Sequence, residues 1–220
     1  MKPFICFIGL DGSGKSTGIE YARDSLARRG INVRVVRAAY VVKVMSVFIK
    51  AGKKILLRGG SDPFSGDYKS YLEGMRQRAG SGGVYYKIFS ALTSIEFKAQ
   101  IFFNITLRRI FGQTLLVDRY IYDNAVTYAA NMGLGEDYMR QVIEGKWKRS
   151  PRPALIIYIK TPIEVCLSRK NDIPDPLYLE IRQPLYDRIA EMYGATVISG
   201  DDGVERMNAD IMAAIDKVLD

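Results

Sequence analysis

The run Gly9-Leu10-Asp11-Gly12-Ser13-Gly14-Lys15-Ser16-Thr17 constrains the fold of this chain more than any other stretch. It satisfies GxxxxGK[ST], follows the apolar run Phe4–Ile8, and leads into a helical pattern over residues 16–29 that closes on Gly30. A strand that turns sharply into a helix through glycines leaves backbone N–H groups pointing inward around an anion, with the positive end of the helix behind them. The pattern therefore predicts a phosphate-binding loop made of Gly9, Leu10, Asp11, Gly12, Ser13, Gly14, Lys15, Ser16 and Thr17. In that loop Lys15 is expected to bridge the β- and γ-phosphates of ATP, and the Ser16 hydroxyl to ligate Mg2+.

Four more short runs, Val33–Arg37 and residues 114–117, 154–159 and 196–198, are nearly continuous in apolar or β-branched residues, as strands buried on both faces are. Helical patterns lie between them at 122–131, 136–148, 163–169 and 177–193, bounded by Gly133, Pro151, Pro162 and Gly194. This alternation predicts an α/β fold in three layers, a doubly wound, five-stranded parallel sheet with helices on both faces. Its ligands are expected at the carboxyl ends of the strands. One domain over residues 1–220 is expected, with no repeat and no linker. Residues 40–111 depart from the simple alternation. They read as a helix over 41–57, a Gly/Ser/Asp-rich loop over 58–67, a polar helical piece to Arg78, a glycine-rich break at 80–83 and a long amphipathic helix. An insert of that size is expected to cover an acceptor pocket or to form a partner interface.

Composition narrows the chemistry. The chain has no histidine, which removes His-based triads and His metal sites, whereas phosphoryl transfer runs on positioning and electrostatics and needs none. Cys6 and Cys166 lie far apart without metal-ligand spacing, so they read as buried free thiols in a reducing cytoplasm. No uncharged apolar run reaches the roughly 18 residues of a membrane span. The apolar start of the chain passes directly into the glycine loop, which reads as a strand and not as a signal peptide. Net charge is +8 but uneven: residues 31–110 hold 14 basic side chains against 4 acidic, and residues 111–220 hold 13 against 17. A basic segment of this kind is most often a solvated helix face, and it also suits polyanionic substrates or nucleic acid.

Two further segments carry chemistry. In Leu115-Leu116-Val117-Asp118-Arg119-Tyr120, a carboxylate at the tip of a buried strand can hold the magnesium shell opposite Ser16, with Arg119 facing the phosphates. The bland alternative is a surface salt bridge. Residues 168–177 are polar, charged and broken by proline, as in a lid that closes over phosphates, or in a solvated loop. Asp11-Gly12-Ser13 puts no arginine inside the loop, so a lid cation from Arg169, Lys170, Arg182 or Arg188 is expected to meet the charge on the transferring group.

With these segments in hand, the chain resembles the thymidylate kinase family, and more closely its divergent thymidylate-kinase-like branch. The matching pieces are FIGLDGSGKST at 7–17, VDRYIYDNAVTYAAN at 117–131, PALIIYIKTPIEVCLSRK at 153–170 and LEIRQPLYDRIAEMYGATVIS at 179–199. The resemblance implies ATP- and Mg2+-dependent transfer to a nucleoside 5′-monophosphate, with dTMP as the leading acceptor, by a cytoplasmic homodimer whose partners are small nucleotides rather than nucleic acid. It implies that Asp11 sits near the acceptor's sugar and phosphate, that Arg119 and Arg37 hold the acceptor phosphate, and that Arg169 or Lys170 is the lid cation. Asp118 and Ser16 remain the metal ligands. The chain departs from the family in two places: Ala38-Ala39-Tyr40-Val41 stands where Glu-Pro-Gly-Gly is usual, and Glu96-Phe97 with Lys98 stands where an Asp-Arg pair reads thymine. Two other readings stay open. One is a kinase of the same architecture for another small phosphate or hydroxyl acceptor, and the other a nucleotide-binding regulatory or nucleic-acid-associated protein that uses the basic segment.

Overall fold

The computed structural model describes residues 1–39, 68–80 and 84–219. The helix expected over 41–57, the loop over 58–67 and most of the glycine break at 80–83 lie outside the described residues. Among the described residues five strands form: β1 (Phe4–Ile8), β2 (Val33–Arg37), β3 (Thr114–Asp118), β4 (Leu155–Lys160) and β5 (Thr196–Ser199). They pair in the order β2-β3-β1-β4-β5, every pair parallel. The expected α/β sheet is thus present, with β1 at its centre. All five residues of β1 are buried, which is why its sequence is apolar without alternation.

The helices are α1 (Lys15–Arg28), α2 (Tyr68–Gly80), α3 (Val84–Ile101), α4 (Leu107–Ile110), α5 (Ile121–Met132), α6 (Glu136–Gln141), α7 (Ile163–Arg169), α8 (Pro176–Tyr193) and α9 (Val204–Leu219). A π-helical turn, Phe102–Thr106, joins α3 to α4, and a second, Val142–Lys146, prolongs α6. The single helix expected over 136–148 is therefore helical only to Lys146, and it changes pitch at Val142. α9 was not among the expected helices. It covers the sheet with Met207, Ile211 and Ile215 on one stripe.

Alternation along the strands divides the core in two. Ile5, Phe7, Leu116, Ile157 and Ile159 face α1 and α9, whereas Phe4, Cys6, Ile8, Leu115, Val117 and Tyr158 face the side carrying Phe97 of α3, Val126 of α5 and Tyr186 of α8. Gly18 lets α1 and α9 approach closely, since a Cβ there would stand 2.5 Å from Ile211 Cδ1. Chain order reverses beside β1, between β3 and β4, so a crevice opens beyond the carboxyl ends of β1 and β3. The register sets Asp118 opposite both Phe7 and Arg37 at that edge. Among the described residues no helix is long and apolar enough to cross a membrane.

Candidate active site

The glycine loop leaves β1 and enters α1 through backbone that only glycine adopts freely. Gly12 has φ +84°, and a Cβ there would meet the Cys166 carbonyl oxygen of α7 at 2.5 Å. Gly14 caps α1 in the left-handed region with no side-chain hydrogen bond to the first turn. The first-turn amides of α1, which have no helical acceptor of their own, are thus left for an anion. Behind the loop, the Thr161 hydroxyl donates to the Ser13 carbonyl at 3.0 Å, fixing the turn from the β4 side. Ser16 and Thr17 are exposed at the start of the helix, and Leu10 is buried beneath it.

Lys15 is folded back into this loop. Its ammonium donates to the Gly9 carbonyl at 2.9 Å, to the Leu10 carbonyl and to Ser13 Oγ at 3.3 Å, and the side chain is 6% exposed. Burial, and then the positive charge of Arg119, bring its pKa down to about 8 against the opposing pull of Asp11, Asp123 and Asp118. The loop carbonyls stand in for solvent around a cation that the fold has nearly dried.

Across the crevice, Arg119 ends β3 in the left-handed region at φ +65°. A non-glycine residue pays roughly 1–2 kcal/mol for that conformation, and the surroundings hold it there. Its N–H donates to the Phe7 carbonyl at 3.0 Å, and its guanidinium bonds Asp11 of the loop, Asp123 Oδ1 at 3.3 Å and the Tyr186 hydroxyl at 3.3 Å. Asp123 in turn accepts from the Tyr186 hydroxyl at 2.7 Å and from the Tyr120 N–H at 3.0 Å, the latter capping α5. Burial pushes the Asp123 carboxyl up, against Arg119 and Tyr186. For Asp11 burial acts in the same direction, but Arg119, then Lys15 and Lys170, outweigh it and hold that carboxyl below its ordinary value. Burial also opposes the charge on Arg119, yet Tyr186, Asp123 and Asp11 keep it firmly protonated. The Tyr178 hydroxyl adds a 3.3 Å bond to Asp11.

The residues expected from the sequence fall into two groups. Asp11, Lys15 and Arg119 converge on one charged cluster, with Ser16, Asp118 and Arg37 at the same carboxyl edge of the sheet. Arg37 is exposed there. The cations expected at the lid have partners of their own, although Lys170 also lies near enough for its charge to lower the Asp11 carboxyl. Arg169 donates to the Gly200 carbonyl at 3.0 Å, beyond β5, and Lys170 pairs with Asp172 at 3.4 Å. Arg182 is buried, bonded to the Tyr68 hydroxyl at 2.9 Å and Asn131 at 2.9 Å with its guanidinium 3.7 Å from the Tyr178 ring centre, so it ties α2, α5 and α8 together. Arg188 pairs at the surface with Glu191 at 2.7 Å. Asp123, Tyr178, Tyr186 and Thr161 were missed as site residues. A sequence signal existed for two of them, because Tyr178, Arg182 and Tyr186 recur at intervals of four on one face of α8.

Next to the Arg119 cluster, α3, α5 and the second π turn enclose a cavity of about 300 Å³. Phe97, Tyr128, Tyr138 and Trp147 give it aromatic walls, and Ser94, Asn124, Thr127 and Asn131 give it polar groups. Phe97 meets Trp147 edge to face at 5.3 Å, and Tyr128 stacks on Tyr138 at 5.5 Å. Asn124, which lines the cavity, directly follows the Asp123 that holds Arg119, so α5 links the cavity to the charged cluster.

No protein-family model matches the chain. It is 23% identical over 209 residues to the thymidylate kinase of Alkalilimnicola ehrlichii, a match that spans 94% of this chain and 84% of that enzyme. With the five-stranded parallel sheet, that similarity marks this protein as a distant relative of a thymidylate kinase.

Proposed function

We propose that this protein transfers the terminal phosphoryl group of ATP to a nucleoside 5′-monophosphate, with dTMP as the leading acceptor. The observation that carries this reading is the position of the Arg119 guanidinium, bonded to Asp11 of the glycine loop on one side and, on the other, to Asp123 of α5, the residue before the cavity-lining Asn124. A cation fixed between a triphosphate loop and an aromatic-walled cavity suits a reaction in which two phosphates must be brought in line. Lys15 exchanges its loop carbonyls for the β- and γ-phosphate oxygens, Arg119 and Arg37 hold the acceptor phosphate, and Asp11 orients the acceptor's sugar end. Ser16 and Asp118 offer a hydroxyl and a carboxylate, hard oxygen donors of the kind that hold Mg2+ together with substrate phosphates. When bound, the metal neutralises charge on the β and γ oxygens. Arg169 and Lys170 come from residues 168–177 acting as a lid over the donor phosphates.

The same reading takes residues 1–220 as one kinase domain in the cytoplasm, consistent with two free, buried cysteines. It also takes the protein as a homodimer, for which the outward face of α3 and α4 offers an apolar surface. The test is a coupled ADP-release assay on the purified protein against the common nucleoside monophosphates and small hydroxyl acceptors. Lys15→Ala should lower turnover at least 100-fold, on the order of an electrostatic transition-state contact. Arg119→Ala should raise the acceptor KM by roughly 10–100-fold, the worth of charged hydrogen bonds to a phosphate. Turnover with no acceptor in the panel, or a change confined to the KM for ATP in Arg119→Ala, would overturn the assignment.

A further inference from the structure

Arg182 does more than tie three helices, because of what it fixes on Asn131. Its guanidinium is 4% exposed and held from several sides: Nη1 donates to the Tyr68 hydroxyl at 2.9 Å and to the Tyr178 carbonyl at 3.0 Å, and the Tyr178 ring centre lies 3.7 Å away. The other terminal nitrogen, Nη2, donates to Asn131 Oδ1 at 2.9 Å. A guanidinium has donors and no acceptor, so it can meet only the oxygen end of an amide. The Asn131 side chain is therefore fixed end for end, with its oxygen taken and its NH2 turned away from Arg182. Asn131 lines the aromatic-walled cavity, and among the described residues no group accepts from that NH2.

A second observation lies in the wall of the same cavity. Trp147, 8% exposed and set edge to face against Phe97 at 5.3 Å, keeps an indole N–H that has no acceptor among the described residues. A buried donor left unmade is destabilising, and a buried tryptophan N–H usually finds a partner. An amide NH2 and an indole N–H can only donate, so what satisfies them is an oxygen or a ring nitrogen on a flat group that aromatic walls accept. We propose that Asn131, positioned by Arg182, reads the ring of the acceptor by donating to a carbonyl oxygen on its edge, with the Trp147 N–H as a further donor on that wall. A ring with an amino group at that place meets Asn131 donor to donor and is disfavoured. Arg182 is on this account a positioning residue that touches no substrate. The inference rests on the kinase reading in taking the cavity as the site of the acceptor's ring.

Two pairs of nucleotides differ at such an edge, dUMP against dCMP and dIMP against dAMP, the first of each pair carrying the carbonyl. Each is titrated into the full chain with Mg2+ and ADP present, and binding is followed by calorimetry, which needs no turnover. In at least one pair the wild type should bind the carbonyl member more tightly by roughly tenfold or more, the worth of one or two hydrogen bonds gained against a donor left unpaired. Asn131→Asp keeps the shape and gives Arg182 a carboxylate, so the tie between the helices persists, but it offers the ring an acceptor in place of a donor. It should abolish or invert the preference. Arg182→Lys, which cannot hold Tyr68 and Asn131 in one fork, should lower the preference without inverting it. Loss of folding alone weakens both members of a pair alike, so the ratio separates ring reading from a structural role. No preference in the wild type within either pair, or a preference unmoved by Asn131→Asp, overturns the proposal, and a preference unmoved by Arg182→Lys removes the positioning role of Arg182. Turnover measured alongside keeps the two readings apart. Turnover without ring preference sinks this inference and leaves the kinase, whereas ring preference without turnover upholds the inference and counts against the kinase.

Discussion

Lys15 is a buried ammonium whose pKa stands near 8, within reach of ordinary buffers. A polyphosphate favours its charged form, so the liganded protein holds the proton to higher pH than the free protein does. Nucleotide affinity should therefore be full below about pH 8 and fall by up to tenfold per pH unit above it. Calorimetry with ADP from pH 7 to 9.5 measures this, and a flat affinity across that range would show that Lys15 does not titrate as its surroundings require. At this scale the loop was legible in the sequence because its chemistry is local: strand, glycines, lysine and helix follow one another within a dozen residues. Two of the three side-chain partners of Arg119 were not. Tyr186 lies 67 residues away and Asp11 lies 108 away, and only the fold brings them together. Arg182 shows the reverse error, a cation read as mobile that proves to be a buried tie between three helices.

The rod running from α3 through the first π turn to α4 has two apolar faces. Phe97, Ile101 and Ile105 point into the core, while Leu92, Ile95, Phe102, Phe103 and Ile110 are exposed. A row of that size on a helix is more than scattered surface apolarity and suits a partner surface. If the homodimer forms there, Phe102→Glu combined with Phe103→Glu should halve the mass measured by light scattering and leave folding stability within about 0.5 kcal/mol, as surface changes do. A wild-type mass equal to one chain would remove the dimer altogether. Extents of elements were easier to read than their pitch. The apolar spacing of residues 136–148 predicts one helix, but a π turn differs from an α turn by a single residue of slack, which periodicity does not register. α9 carries a readable stripe in Met207, Ile211 and Ile215, although the alternation of strands and helices is complete without it.

Over the whole molecule, the loop is supported from below as well as shaped from within. α9 packs on α1, and Met207 Sδ would lie 3.3 Å from a Cβ at Gly14. Met207→Ala should cost about 2–5 kcal/mol of stability, as buried truncations do, and should also weaken ADP binding, although no atom of α9 is expected to touch phosphate. Urea unfolding and ADP titration of the same variant check both halves, and loss of stability with unchanged ADP affinity would confine α9 to packing alone. Lys15 has a further consequence at this scale. Its ammonium sheds water when the chain folds, before any ligand arrives, and a folded-state pKa below the ordinary 10.5 means that the charge opposes folding at neutral pH. That opposition is fully present below about pH 8 and fades as the pH climbs toward 10.5. Lys15→Met should accordingly give a sturdier but inert protein, more stable by about 1–3 kcal/mol at pH 7 and unable to hold nucleotide. The residue most needed by the loop would then be one that the rest of the chain tolerates at a loss.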